Sequence, residues 1–298
     1  MKITAVILTY NEELHLSRCI ESLKGIVANV VVVDSFSTDK TLDIAVEHGA
    51  TIIQHQWLNY SSQFNWALSI LDPSTDWVLR IDADEILTLS LRLEIKSRMN
   101  SLESNIHGVY WGRRIVFLGK AIKYGGVFPI QVLRLFRFGH GKCENRWMDE
   151  HIKVNGMTTN FNGEMLDNNL NSLTWWTDKH NKYASREAVD LLNLDYGFIE
   201  RDLLANISTG QQPAIKRWIK EKVYFRCPTG YRAFVYFFYR YIIRLGFLDG
   251  SQGLAFHFLQ GFWYRYLVDI KVEEVKRSMN KNKISIQKAI KEVLDIRL

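Results

Sequence analysis

Short runs rich in apolar residues at positions 3–8, 30–33, 51–54 and 76–82 alternate with amphipathic stretches through the first third of the chain. This alternation constrains the fold more than any other feature. Apolar runs bounded by polar turns and separated by helical patterns belong to a parallel sheet covered by helices on both faces. Residues 12–24 carry Leu14, Cys19, Ile20 and Leu23 on one helical face. Ser35, Ser37, Thr38 and Asp39 supply caps and a first-turn acid for a helix through Val46, closed by Gly49. Ser61 and Ser62 cap a third helix, which runs through Leu71 and is stopped by Pro73. The expected order is βαβαβαβ, an open doubly wound α/β sheet.

In such sheets ligands sit outside the carboxyl ends of the strands. Those ends carry Thr9-Tyr10-Asn11-Glu12, Asp34-Ser35 and Asp82-Ala83-Asp84-Glu85. None is a glycine-rich phosphate loop, which speaks against a dinucleotide dehydrogenase or a P-loop enzyme. Asp82 and Asp84 are two residues apart at a strand terminus, and an extended backbone there projects both side chains to one side. Converging carboxylates suit Mg²⁺ or Mn²⁺, with phosphate oxygens and water completing the shell. Chance occurrence and helix capping compete for an isolated DxD triplet, but this one ends an apolar strand with Asp34 at a neighbouring strand end.

The segments Val6-Ile-Leu-Thr-Tyr-Asn-Glu12, Val31-Val-Val-Asp34-Ser-Phe-Ser-Thr-Asp39 and Ile81-Asp82-Ala-Asp84-Glu85 resemble the nucleotide-binding signatures of family 2 inverting glycosyltransferases of GT-A fold, above all bacterial enzymes of lipopolysaccharide core, capsule or exopolysaccharide assembly. The resemblance implies that Thr9, Tyr10, Asn11 and Glu12 line a uracil and ribose pocket and that Asp34 contacts base or ribose. It implies donor contacts at Gln63 and Asn65, a ribose or metal contact at Asp82, and Asp84 as principal ligand of Mn²⁺ or Mg²⁺. Arg80 stands where the family usually has a small or apolar residue; it is a nucleotide or acceptor contact, or a strand cation paired with a nearby acid.

From 107 to about 163 the pattern is strand-rich, with runs at 109–118, 130–138 and 152–154. An inverting transfer needs one carboxylate to take the proton of the attacking hydroxyl. Related enzymes carry an ED or HE pair before the last strand of the core; this chain has Asp149-Glu150, and Glu150 is favoured over Asp149, against the competing reading of a solvated turn. Arg146-Trp147 is similar to the RW of processive synthases, but it precedes the acids and no span accompanies it, so a single addition is expected. Arg134 and Arg137 are read as sharing one strand face; with Arg80 and Trp147, Arg134 is a candidate contact to diphosphate or acceptor. His151 and His180 are read as structural or acceptor-side groups.

Beyond 164 the periodicity is helical, at 175–194, 214–225, 231–247, 254–272 and 285–296. The expected division is a GT-A domain over 1–212 (nucleotide half 1–106, acceptor half 107–163, helical connection 164–212) and a helical appendage over 213–298. The appendage holds roughly 17 Lys and Arg against 7 Asp and Glu, so a formal net charge of +6 conceals a slightly acidic remainder. Cations interleaved with aromatic rings suit the interface of an anionic membrane. The apolar stretches fall well short of the ~20 residues of a span. Cys19, Cys143 and Cys227 are odd in number and lack CxxC spacing, which points to a reducing compartment. The expectation is a cytoplasmic enzyme, peripheral at the inner face of the membrane, moving one sugar from a nucleotide sugar, UDP-linked, to a glycan or lipid-linked glycan. The competing classes are a single-strand nucleic-acid binder built on the basic aromatic third, which leaves the acidic strand ends without a task, and a nucleotidyltransferase, which calls for a glycine-rich loop after the first strand.

Overall fold

A computed structural model describes residues 1–144, 151–198 and 230–298. Two compact units emerge: Met1–Lys123 with Val127–Asn171, and Tyr124–Gly126 with Ser172–Leu298. The expected boundary after 212 lies outside the described residues. The observed division at Asn171 leaves the helix that follows it with the second unit.

The first unit contains β1 (Ile3–Thr9), α1 (Leu16–Leu23), β2 (Asn29–Asp34), α2 (Thr41–Glu47), β3 (Thr51–Gln54), α3 (Tyr60–Ser69), β4 (Trp77–Arg80), β5 (Glu85–Leu87), α4 (Leu89–Arg98), β6 (Ile106–Phe117), β7 (Lys120–Ala121), β8 (Ile130–Arg137), β9 (Gly141–Cys143), β10 (Ile152–Val154) and β11 (Met157–Asn168). The main sheet runs β3-β2-β1-β4-β8-β6-β11-β5, with β7 against β6 and a separate β9–β10 pair. The first four strands are parallel, as the alternating pattern requires. Beyond β4 the sheet is mixed: β8 is antiparallel to both β4 and β6, β11 is parallel to β6, and β5 is antiparallel to β11.

Side-chain alternation along the strands divides the core between two faces. Ile3, Ala5 and Ile7 of β1 join Leu16, Cys19 and Leu23 of α1, whereas Val6 joins Phe64 and Ala67 of α3 on the opposite face. Helix α3 is capped by Asn59, whose side chain accepts from Ser62 N at 2.8 Å, so the expected caps Ser61 and Ser62 lie inside its first turn. Helix α1 begins at Leu16 because residues 12–15 form a turn on the Glu12 carbonyl.

Strand β11 runs through the boundary expected at 163. Its polar Asn160-Phe-Asn-Gly163 stretch hides the alternation, and the ladder to β6 shifts register between Asn160 and Glu164. A Cβ at Gly163 would lie 2.4 Å from Leu91 Cα, so the close approach of α4 to β11 requires glycine there.

A second shift matters more for the site. Leu133 pairs with Tyr110 and Leu135 with Val109, leaving Arg134 as the extra residue of a β-bulge. The two arginines do not share the expected strand face, because a separation of three residues is odd and strand side chains alternate; Arg137 lies over Trp77 and donates to Ile106 O at 2.8 Å, away from the partners of Arg134.

In the second unit the helix Leu173–Tyr196 is capped by Ser172 and ended by Gly197 at φ +63°. Its Ala184 and Ala188 pack on Tyr264 and Val268 of the helix Tyr264–Asn282, and Val189 and Leu192 pack on Ala289 and Ile290 of the helix Ile286–Leu294. The expected long helices over 231–247 and 254–272 are interrupted by wide π-helical turns at Tyr239–Ile243 and His257–Trp263. No helix among the described residues is long and apolar enough to cross a membrane.

Candidate active site

Thr9 and Asp34 are register partners at the carboxyl ends of β1 and β2, and Thr9 Oγ1 donates to Asp34 Oδ1 at 2.9 Å. Asp34 is fully buried. It also accepts from Ser37 N (2.8 Å) and Ser37 Oγ (2.5 Å) and, at 3.4 Å, from Gln54. It thereby fixes the loop after β2, and a base or ribose reaching it must displace one of these donors. The loop after β1 is tied to the same segment: Asn11, in the left-handed region at φ +55°, accepts from Thr38 N at 2.8 Å, and its own N–H donates to Ser37 Oγ at 2.9 Å. Tyr10 between them is 61% exposed. Glu12 Oε2 lies 2.6 Å from Nδ1 of the buried His15, while His15 Nε2 accepts from Leu170 N at 2.9 Å. That second bond assigns the His15 proton to Nδ1, so the ring donates to Glu12.

At the end of β4 the chain turns instead of staying extended, closed by Glu85 N donating to Asp82 O at 2.9 Å. The expected common projection of Asp82 and Asp84 from an extended strand therefore loses its premise. Asp82 accepts from Tyr60 Oη at 2.7 Å and from Arg134 Nη2 at 3.0 Å. The bulged Arg134 also reaches Glu85 Oε1 at 2.5 Å; it is 4% exposed and Glu85 is 1% exposed. Burial opposes the charge on Asp82, but Arg134, Arg80 and the Tyr60 hydroxyl outweigh it and hold its carboxyl well below the usual range. Burial pushes Glu85 up to about 7, with Arg134 pulling it back and Asp82 adding to the rise.

Asp84 accepts from Asn169 Nδ2 at 3.0 Å, and its carbonyl accepts from Asn168 N at 2.9 Å. The pairing of β11 with β5 sets Asp167 opposite Glu85. Burial and the negative charge of Asp84 push the partly buried Asp167 up to about 6, against Arg113, whose Nη1 is 3.7 Å away. Arg18 donates to the Asn168 carbonyl beside them. Among the described residues no group of three or more His, Cys, Asp or Glu side chains is arranged to hold a metal ion. Two mutually repelling carboxylates fit Mg²⁺ or Mn²⁺ all the same, because these ions retain water and take substrate phosphates for the remaining positions. Asp84 with Asp167 could hold such an ion, since both oxygens of Asp82 are already engaged.

Neighbouring contacts engage three further candidates. Gln63 is buried and turned inward, donating to Ser35 Oγ and His55 O at 3.2 and 3.1 Å. Asn65 pairs at two points with Cys143, donating to its O at 2.8 Å and accepting from its N at 2.9 Å, and so fastens β9 to α3. Arg80 is buried, with its guanidinium 4.3 Å from the Tyr60 ring centroid and Nε donating to Tyr60 Oη at 2.7 Å. Trp147, Asp149 and Glu150 lie outside the described residues. His180 is a structural group, its Nδ1 2.8 Å from Trp176 O, and burial lowers it to about 4; His151 Nδ1 lies 3.2 Å from Glu144 Oε1. Sequence reasoning missed Tyr60, Arg113, Asp167 and Asn169. The Asp167-Asn-Asn169 run was the available signal for two of them, but it ends a strand that the pattern did not reveal.

The model of the family described as "Glycosyl transferase family 2" matches residues 4–139. An uncharacterized glycosyltransferase of Rickettsia felis is 47% identical over 95 residues, which covers 32% of this chain and 33% of that protein. The match thus spans about a third of that relative. Longer matches exist. An uncharacterized glycosyltransferase of Rickettsia typhi is 30% identical over 208 residues, 64% of this chain and 68% of its own. The lipopolysaccharide core biosynthesis glycosyltransferase LpsC of Rhizobium meliloti is 31% identical over 195 residues, 63% and 71% respectively. Among solved structures, glucosyl-3-phosphoglycerate synthase of Mycobacterium tuberculosis, in complex with Mn²⁺, uridine diphosphate and glucosyl-3-phosphoglycerate, is 25% identical with a TM-score of 0.32, covering 38% of this chain and 44% of that one.

Proposed function

Because the chain belongs to glycosyl transferase family 2, we propose that it moves one sugar from a UDP-sugar, with inversion, to a lipopolysaccharide-core, capsule or lipid-linked glycan. The observation that supports this reading is the parallel pairing of β1 with β2 and β4, which brings Thr9, Asp34 and the turn from Asp82 to Glu85 to one end of the sheet. The loops at 9–12 and 34–38 hold the nucleoside. Asp84 and Asp167 would hold a divalent cation, which when bound would supply Lewis-acid stabilisation of the diphosphate leaving group. Glu150 or Asp149 accepts the proton of the acceptor hydroxyl as its oxygen bonds to the anomeric carbon and the bond from that carbon to the UDP oxygen breaks. One displacement of this kind inverts the centre and needs no covalent intermediate.

The test is transfer from a panel of UDP-, GDP-, dTDP- and CMP-sugars with Mn²⁺, together with base variants. Glu150→Gln or Asp149→Asn is expected to keep UDP affinity within about twofold and to lower transfer by about 10²–10⁴-fold, the usual worth of a general base. Full transfer by both variants refutes the base assignment, and transfer from a non-uridine sugar alone refutes the donor.

Peripheral contact with the anionic inner face of the membrane belongs to the same reading. The segment from Tyr231 has its polarity reversed: Tyr231, Phe234, Val235, Phe238, Tyr239 and Ile242 are exposed, whereas Arg232 and Arg240 are buried. Arg232 makes a two-point ion pair with Asp269, and Arg240 donates to Gln260 at 3.2 Å. Residues 230–298 add 12 Lys and Arg against 6 Asp and Glu. Apolar rings outward on a cationic unit suit a headgroup layer. Flotation with phosphatidylglycerol vesicles at low salt is expected for the native chain and lost in Phe234→Glu/Phe238→Glu. Equal recovery of both proteins in the soluble fraction removes this part of the proposal.

A further inference from the structure

Phe36 adopts φ +61°, a left-handed conformation that favours glycine, and its side chain is 53% exposed. Burial of the ring therefore does not compensate the backbone it occupies. Its surroundings leave the segment little freedom. Asp34 accepts from Ser37 N and Oγ on one side of it, Asn11 accepts from Thr38 N on the other, and Ser37 Oγ accepts from Asn11 N. The same bonds join it to the β1 loop, where the exposed Tyr10 follows Thr9, the register partner of Asp34. Two exposed aromatic residues thus leave adjacent parallel strand ends from loops pinned to each other. Strain held in place by its surroundings and kept at a surface is a mark of functional use.

We propose that Phe36 is a stacking platform for the nucleobase of the donor. The inference rests on the reading above that the ends of β1 and β2 hold a nucleotide, and it deepens that reading by naming the residue that recognises the base as a flat π surface. Asp34 and Asn11 orient the platform through the backbone without needing to touch the base. Stacking on an aromatic side chain tolerates any base, so Phe36 contributes affinity, and the choice of uracil is left to polar groups.

The test measures binding of UDP and of inorganic diphosphate, each with Mn²⁺, by calorimetry on the full chain as native protein, Phe36→Gly and Phe36→Tyr. Stacking predicts that Phe36→Gly weakens UDP by about 5- to 100-fold, that Phe36→Tyr stays within about threefold of native, and that diphosphate affinity is equal in all three. Glycine suits the backbone, so the thermal midpoint of Phe36→Gly is expected to hold or rise. UDP binding by Phe36→Gly as tight as native overturns the proposal, as does a loss shared equally by diphosphate, which marks a structural role. Failure of the native chain to bind UDP at all removes the donor reading itself, a result distinct from native binding that Phe36→Gly leaves intact.

Discussion

Asp84→Ala is expected to reduce Mn²⁺-stimulated UDP release from the donor about a thousandfold, the scale of several kcal/mol of lost charge stabilisation at the leaving group. Its side chain accepts one hydrogen bond, from Asn169, while the bond that ties the turn to β11 runs from Asn168 N to the Asp84 carbonyl and survives the substitution. The fold should therefore persist, and a thermal midpoint within a few degrees of native is the control. A readout independent of turnover is the affinity of Mn²⁺ for the UDP complex, followed by titration, which should fall by at least tenfold. Asp167→Asn should weaken Mn²⁺ as well, since it removes the second carboxylate. Native Mn²⁺ affinity in Asp84→Ala would sink the assignment of the metal to this pair.

Arg134→Ala is expected to destabilise the first unit by about 3 kcal/mol, because breaking a buried ion pair from one side leaves an uncompensated charge. Glu85 loses its cation at 1% exposure, and Asp82 loses one of its two donors. With the opposing pull of Arg134 gone, burial and Asp82 both drive Glu85 to protonate. At about 2–4 °C per kcal/mol for a unit of this size, the midpoint falls by roughly 6–12 °C. Scanning calorimetry at neutral pH measures it, and a second variant apportions it: Arg134→Ala/Glu85→Gln should recover part of the loss, since the buried charge is then removed with its partner. A midpoint lowered by less than a degree in the single variant would show that the pair carries no such energy.

The fold was legible to the extent that its determinants are contiguous. Residues 3–8 and 30–33 read as strands because both faces of β1 and β2 are buried and every position in the run is apolar or nearly so. Thr9, Asp34 and Asp82 could be placed at strand ends for the same reason. Asp167 could not, since it becomes a site residue only through the pairing of β11 with β5, and β11 has a polar, glycine-containing stretch where the sheet meets α4. Gln63 and Asn65 looked available because a helix position says nothing of a carbonyl on a distant loop; His55 and Cys143 occupy them. The two arginines of β8 were put on one face although their odd separation sets them on opposite faces of an alternating strand. Asp149 and Glu150 remain proposals resting on resemblance.

That bulge frees the cation of the acidic turn from the phase of the strand that carries it. Leu133 and Leu135 pair with consecutive residues of β6, Tyr110 and Val109, so Arg134 is surplus to the ladder. Point substitution at 134 can exchange the cation facing Asp82 and Glu85 while the ladder stays in phase. Deleting the surplus position would leave Leu133 and Leu135 adjacent and still opposite Tyr110 and Val109, so the cation would go while every other strand residue kept its face. Among descendants of this sequence, the cation at the acidic turn can thus be exchanged by a single codon or lost with a whole one, and neither event moves a core side chain from one face of the sheet to the other.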